Sequence, residues 1–186
     1  MAAPRAGDPP VVTDIRTLDT CTSAAFTAAV APLFEGAPRF LARLAAARPF
    51  GSSDALFAAA RTIALAMPRD ESLELIDAHP RLGAPAATVS ALSFREQGYD
   101  RETADARAAD SAMERARLAD ELDRLNAAYE ARFGFRYCVF VAGRPREALL
   151  PGMLEALEAD PESEVRRALD AVIDIAADRY ARLGGS

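Results

Sequence analysis

Residues 160–183 read DPESEVRRALDAVIDIAADRYARL and hold one helical rhythm from end to end. Asp160 and Pro161 make a cap and a first turn: the aspartate can accept from the free N–H groups ahead of it, and proline's fixed φ suits the first helical position. Val165, Leu169, Val172, Ala176 and Leu183 then return at the spacing of a single helix face, which predicts a long helix with a buried seam. Arg179 follows Ile175 by four residues and Val172 by seven, and so lies beside that seam. A guanidinium in such a place either meets an anionic partner or snorkels to water.

Upstream, residues 147–158 form another helical pattern, which Pro151 either starts or kinks. Phe135 to Val141 is dense in aromatic and β-branched residues, is too short for a buried helix, and is closed by Gly143 and Pro145; it predicts an extended segment crossing the core. From about Thr103 to Arg132 a charged, alanine-rich stretch carries Met113, Leu118, Leu122, Leu125 and Tyr129 on one broad stripe and stops at Gly134. Ser93-Phe94-Arg95-Glu96 has the form of a capping box opening a helix after a loop from Ala84 to Leu92. Asp70 is placed to cap a short helix through Leu73 and Ile76 that ends at His79, because Pro80 disfavours helical angles at the residue before it. Ser52 or Ser53 caps a helix bearing Leu56, Ala60, Ile63 and Met67. Ser23 caps a run through Phe26, Val30 and Phe34, and Gly36 to Pro38 ends that run and opens the next, with Phe40, Leu41 and Leu44, which Arg48-Pro49-Phe50-Gly51 closes. The expectation is an all-α bundle of about eight helices with one short extended segment near 135–141. It occupies a single domain over 13–184, behind a flexible tail over 1–12 where Pro4, Gly7, Pro9 and Pro10 interrupt any backbone ladder. No internal repeat or low-complexity linker argues for a second domain.

Composition agrees: of 186 residues 51% are apolar and 7% aromatic, a balance that favours close-packed helices over a sheet rich in β-branched residues. A net charge of −6 with a pI near 4.9 offers no broad field to attract phosphate backbones, which sets nucleic acid aside as a partner. Cys21 and Cys138 give no disulfide framework and no metal-ligand spacing, as suits a reducing cytoplasm. No run approaches the roughly 18 apolar residues of a membrane span, Met1 to Pro10 is unlike a signal peptide, and Leu183-Gly184-Gly185-Ser186 lacks a Ser-Lys-Leu type of peroxisomal address. A cytoplasmic protein without a membrane partner is expected.

His79 is the chain's single histidine and sits where a helix is forced to stop, so its side chain can project into a cleft. Imidazole titrates near neutral pH and suits proton transfer, although a lone histidine is also a common packed bystander. Ser93, Glu96 and Gln97 cluster at a predicted helix start, where free N–H groups can hold an anionic ligand; a plain capping box accounts for the same pattern. Asn126, Tyr129 and Phe133 share a helix face and are read as packing or capping residues. A Gly-rich phosphate loop, a metal-ligand cluster and a Gly-x-Ser-x-Gly turn are all missing from the sequence.

In order along the chain stand Phe34-Glu35-Gly36-Ala37-Pro38, Arg48-Pro49-Phe50, His79-Pro80-Arg81-Leu82-Gly83, Ser93 with Arg95-Glu96-Gln97, Leu125-Asn126-Ala127-Ala128-Tyr129 leading to Phe133-Gly134-Phe135, and Ile175-Ala176 with Arg179. Together, from about Phe34 to Leu183, these pieces resemble the 2-oxo-4-hydroxy-4-carboxy-5-ureidoimidazoline (OHCU) decarboxylases. The resemblance implies an all-helical fold, a homodimer, and a cofactor-free, metal-free lyase that makes (S)-allantoin from a small ureidoimidazoline carboxylate in uric acid breakdown. It places the catalytic histidine on His79 and its acidic partner on Glu96. Substrate binding falls on Ser93, Gln97 and Arg179, with Pro80 beside the substrate and backbone hydrogen bonds from the segment that includes Val139 and Val141. Arg136-Tyr137, where the family often has Pro-Phe, Gly98-Tyr99 and the 84–92 loop depart from its pattern and bear on the rim of the pocket. Two other classes compete: a non-catalytic helical binding protein of the same fold, and a helical nucleic-acid module, for which the composition offers no basic face.

Overall fold

The computed structural model describes residues 14–102 and 109–184. The expected tail over 1–12 and the first residues expected of the long helix, 103–108, lie outside them. The architecture is all-α, with no strand among the described residues. Helices run α1 (Ile15–Thr20), α2 (Ser23–Val30), α3 (Pro38–Ala46), α4 (Ser53–Ala66), α5 (Arg69–Asp77), α6 (Ala91–Glu96), α7 (Tyr99–Glu102), α8 (Ala109–Phe133), α9 (Leu150–Leu157) and α10 (Pro161–Arg182). The short α1 and α7 go beyond the expected set.

Several caps fall where the side-chain chemistry put them. Asp160 accepts from the N–H groups of Glu162 and Ser163, and Ser52, rather than Ser53, accepts from Ala55. Pro151 lies in the first turn of α9, so it starts that helix instead of kinking it. Others differ. Thr22 caps α2 in place of Ser23, because its hydroxyl is the one that reaches the Ala25 N–H. Asp70 lies two residues past the cap position of α5, which Pro68 occupies, and instead pairs with Arg39 of α3. The run expected through Phe34 leaves the α geometry at Ala31 and finishes as a 3-10 turn over Ala31–Phe34.

α10 packs against α4, α5 and that 3-10 turn, and side chains from Ile15 to Tyr180 share one apolar core. Each large side chain buried there contributes roughly 1.5–3 kcal/mol. On α8, Leu118, Leu122, Leu125 and Tyr129 are buried, whereas Met113 is 62% exposed, so the apolar stripe begins a turn later than its pattern suggested. After Gly134 the chain crosses the core as a non-helical segment that pairs in no strand among the described residues, with Phe135, Tyr137, Cys138 and Val141 buried. An ion pair between a half-buried arginine and a buried glutamate steadies it. Glu164 of α10, 1% exposed, accepts from Tyr129 and Arg167, and Arg167 donates to the Cys138 carbonyl at 2.9 Å while its guanidinium covers the Tyr137 ring.

Candidate active site

The end of α5, the helix α6 and the non-helical segment after α8 meet at one cavity of about 120 Å³, with α10 as its floor. His79, Pro80, Ser93, Glu96, Gln97, Val139, Val141 and Arg179, the residues singled out from sequence, all line it.

Pro80 ends α5, and His79 lies two residues beyond the last helical residue, 4% exposed. Its Nδ1 lies 3.3 Å from the Leu75 carbonyl. A carbonyl can only accept, so Nδ1 carries the ring proton and Nε2 holds a lone pair. Nε2 is buried and has no hydrogen-bond partner among the described residues. Burial first, and the Arg179 charge second, depress the imidazole pKa to about 4 against a smaller opposing pull from Glu35. The ring is therefore neutral at pH 7, ready to accept a proton at Nε2. The Cys138 thiol, pushed up to about 12 chiefly by burial, stays protonated and is no nucleophile at that pH.

Ser93 and Glu96 do not form a capping box. Ser90 is the cap of α6, its hydroxyl accepting from the Ser93 N–H, so Ser93 lies within the first turn and Glu96 is the last helical residue, both with side chains not used for capping. Ser93 Oγ donates to Glu35 at 2.7 Å. Glu96 receives Arg179 in a fork, from Nε at 2.6 Å and Nη2 at 2.7 Å, and so engages the arginine rather than His79. Arg179 does not snorkel. It is 1% exposed, and beyond Glu96 it donates to the Pro32 and Leu33 carbonyls, to Glu35 and to Ser93.

Glu35 was missed as a site residue. It ends the 3-10 turn in the left-handed region, φ 52°, and its Oε1 accepts from Ser90, Ser93 and Arg179. Burial opposes its ionisation, but Arg179, Ser93 and Ser90 together hold the carboxyl below its ordinary range. The available signal was local: Glu35 stands before Gly36 at a forced helix stop, as His79 stands before Pro80.

Gln97 caps the other end of α6 and turns its amide toward the loop after His79. Its Oε1 accepts from the Gly83 N–H at 2.8 Å and its Nε2 donates to the Arg81 carbonyl at 3.1 Å. Asn126, read as a packing or capping residue, does the same work from α8 by donating to the Leu82 carbonyl at 2.9 Å. Arg136 binds the end of α5: its N–H donates to the Asp77 carboxylate, and Nη1 to the Asp77 and His79 carbonyls at 2.7 and 3.0 Å. Tyr137 reaches the cavity wall. Among the described residues no hydrogen bond occupies the N–H of Val139 or Val141, although the Val141 carbonyl accepts from Arg144. Arg95, Asp178 and Arg182 are the other charged residues of the lining.

The comparisons agree on what this arrangement belongs to. The family profile described as OHCU decarboxylase matches residues 19–181. The chain is 33% identical over 168 residues to the uric acid degradation bifunctional protein PucL of Bacillus subtilis, covering 90% of this chain but only 31% of that protein. It is 29% identical over 156 residues to a 2-oxo-4-hydroxy-4-carboxy-5-ureidoimidazoline decarboxylase of Haloferax volcanii, covering 84% of this chain and 87% of the relative. In fold it is similar to an OHCU decarboxylase crystallised in the presence of (S)-allantoin, with a TM-score of 0.57 and 23% identity over 80% of this chain and 92% of the other. With its matched region spanning nearly every described helix, the chain belongs to the OHCU decarboxylase family.

Proposed function

We propose that this protein decarboxylates 2-oxo-4-hydroxy-4-carboxy-5-ureidoimidazoline to (S)-allantoin in uric acid degradation, with His79 handling the hydroxyl proton. The observation that carries the reading is the neutral, buried His79, whose unpartnered Nε2 belongs to a cavity anchored by Arg179, Glu96 and Ser93. Membership of the family and the named relatives support the same chemistry.

The substrate supplies its own electron sink. As the bond to the carboxylate breaks, its electron pair forms a ring carbon–carbon double bond and the carbon–nitrogen double bond's pair passes to nitrogen, which takes up a proton. The resulting enol gives its hydroxyl proton to His79 Nε2 while the ureido-bearing carbon is protonated on one face. Val139, Val141 and Ile175 keep the departing carboxylate in an apolar setting, which weakens its solvation relative to carbon dioxide. The free N–H groups at 139 and 141 hold ring oxygens. Arg179 Nη2 has two hydrogens and three protein acceptors, Glu35, Ser93 and Glu96, so a ureido oxygen can take over one contact without leaving a buried charge unpaired. Gln97 and Glu96 act mainly by orienting, Gln97 on the His79 loop and Glu96 on Arg179. The protein needs no cofactor for this sequence, works as a homodimer in the cytoplasm, and folds over 13–184 as one domain.

The test is to generate the unstable substrate in place, oxidising urate with uricase and hydrolysing the first product, and then to follow optical activity. Uncatalysed decay gives racemic allantoin because solvent reaches both faces. With the protein present, the intermediate should vanish faster and the S form should accumulate; a barrier difference of roughly 3 kcal/mol already gives better than a hundredfold preference. Unchanged decay to a racemic product, from folded protein, would move the reading to a non-catalytic binding protein.

A further inference from the structure

Arg179, the cation at the heart of the site, is fully subscribed. A guanidinium has five N–H groups, and those of Arg179 serve six hydrogen bonds to the Pro32 and Leu33 carbonyls, Ser93, Glu35 and both oxygens of Glu96. With His79 neutral, the inner site holds one positive charge against the carboxylates of Glu35 and Glu96. An anion approaching this interior meets net negative charge, in a protein whose total is already −6. A compensating cation must lie on the approach.

Two more arginines line the cavity. Arg182 is paired to Asp178, which also lines the wall, at 2.7 Å, and so brings little net charge. Arg95, exposed on α6, makes no ion pair or side-chain hydrogen bond among the described residues. It stands next to Glu96 in sequence, and helical spacing turns it away from Ser93 and toward the mouth.

We propose that Arg95 is a specificity-determining residue that draws the carboxylate-bearing substrate into the cavity mouth while discriminating little in favour of the neutral product. This rests on the decarboxylase reading above. Its role precedes the bond-breaking step: a cation held tightly on the carboxylate during the reaction would stabilise the ground state more than the transition state, in which that charge disperses. An exposed arginine without an ion-pair partner among the described residues avoids this by letting the carboxylate pass on to the apolar wall. The two ligands differ in one charge, so a single cation at the mouth separates them.

The experiment compares the parent with Arg95→Ala, Arg95→Glu and, as a control for total charge, Arg124→Ala, an exposed arginine of α8 outside the cavity. Initial rates are measured on substrate made in place, at low and high ionic strength, alongside calorimetric binding of (S)-allantoin. At low salt kcat/KM should fall about 3- to 10-fold in Arg95→Ala and further in Arg95→Glu, with kcat within about twofold of the parent. The deficit should shrink at high salt, where the Debye length drops to a few Å. Binding of the neutral allantoin should hardly change. If Arg95→Glu keeps the parent's kcat/KM and salt dependence, or if Arg124→Ala loses as much, the role of Arg95 is overturned while the decarboxylase reading stands. A parent without turnover overturns that reading first, and allantoin binding then reports whether the cavity binds a ligand at all.

Discussion

His79 is a base because of what it lacks. One ring nitrogen is tied to the Leu75 carbonyl, the other has no partner among the described residues, and burial keeps the proton off it. The same burial has a cost in acid. Between the ordinary imidazole pKa of 6.5 and the folded value of about 4, the unfolded chain takes up a proton that the folded chain refuses, so stability falls as pH falls through that window. Going from pH 7 to pH 5, the parent should lose about 2 kcal/mol more than His79→Asn, read by urea unfolding at the two pH values. In turnover, the folded parent should show no acid limb from His79 above pH 5, and folded His79→Asn should lose about 10²–10⁴-fold in kcat. A folded His79→Asn with near-parent activity would remove His79 from the chemistry.

At the scale of elements, long periodic segments were legible and only some of their ends were, Asp160 and Ser52 among them. α10 and α8 announce themselves through many repeats of one face, whereas Thr22 against Ser23 and Ser90 against Ser93 are decided by which hydroxyl meets the first free N–H, a matter of one to three residues. The site divides in the same way. His79 and Arg179 stand out as local anomalies, a forced helix stop and a charge beside an apolar seam, but only the family resemblance turns those anomalies into candidate roles. Glu35 could not be given a role, since its partners Ser90, Ser93 and Arg179 come from far along the chain and only the fold assembles them. The loop between α5 and α6 offers a direct check on how tightly this assembly is held. Gly83 has φ +82°, and a Cβ there would lie 2.9 Å from Leu122 Cδ1 of α8. Gly83→Ala should therefore cost roughly 1–3 kcal/mol by denaturant unfolding, from backbone strain and overpacking together. A loss below a few tenths would mean that loop and helix yield easily.

Across the whole molecule, Arg179 belongs to the core as much as to the cavity. It is among the largest fully buried side chains, and it joins α10, α6 and the 3-10 turn by hydrogen bonds spanning most of the sequence. Removing a charge partner from such a cluster costs several kcal/mol, so these elements should open together rather than one by one. The consequence concerns how the protein ages and fails under heat. A partly melted form that retains its helices but has lost its catalytic cavity should be scarce, since undoing the cavity strands a buried cation. Activity and helical circular dichroism should then disappear over one temperature interval, and amides of α6 should exchange with deuterium nearly as slowly as those of α10, despite the shortness of α6. If activity fades well below the melting of the helices, the arginine is a local fastening instead of a shared one.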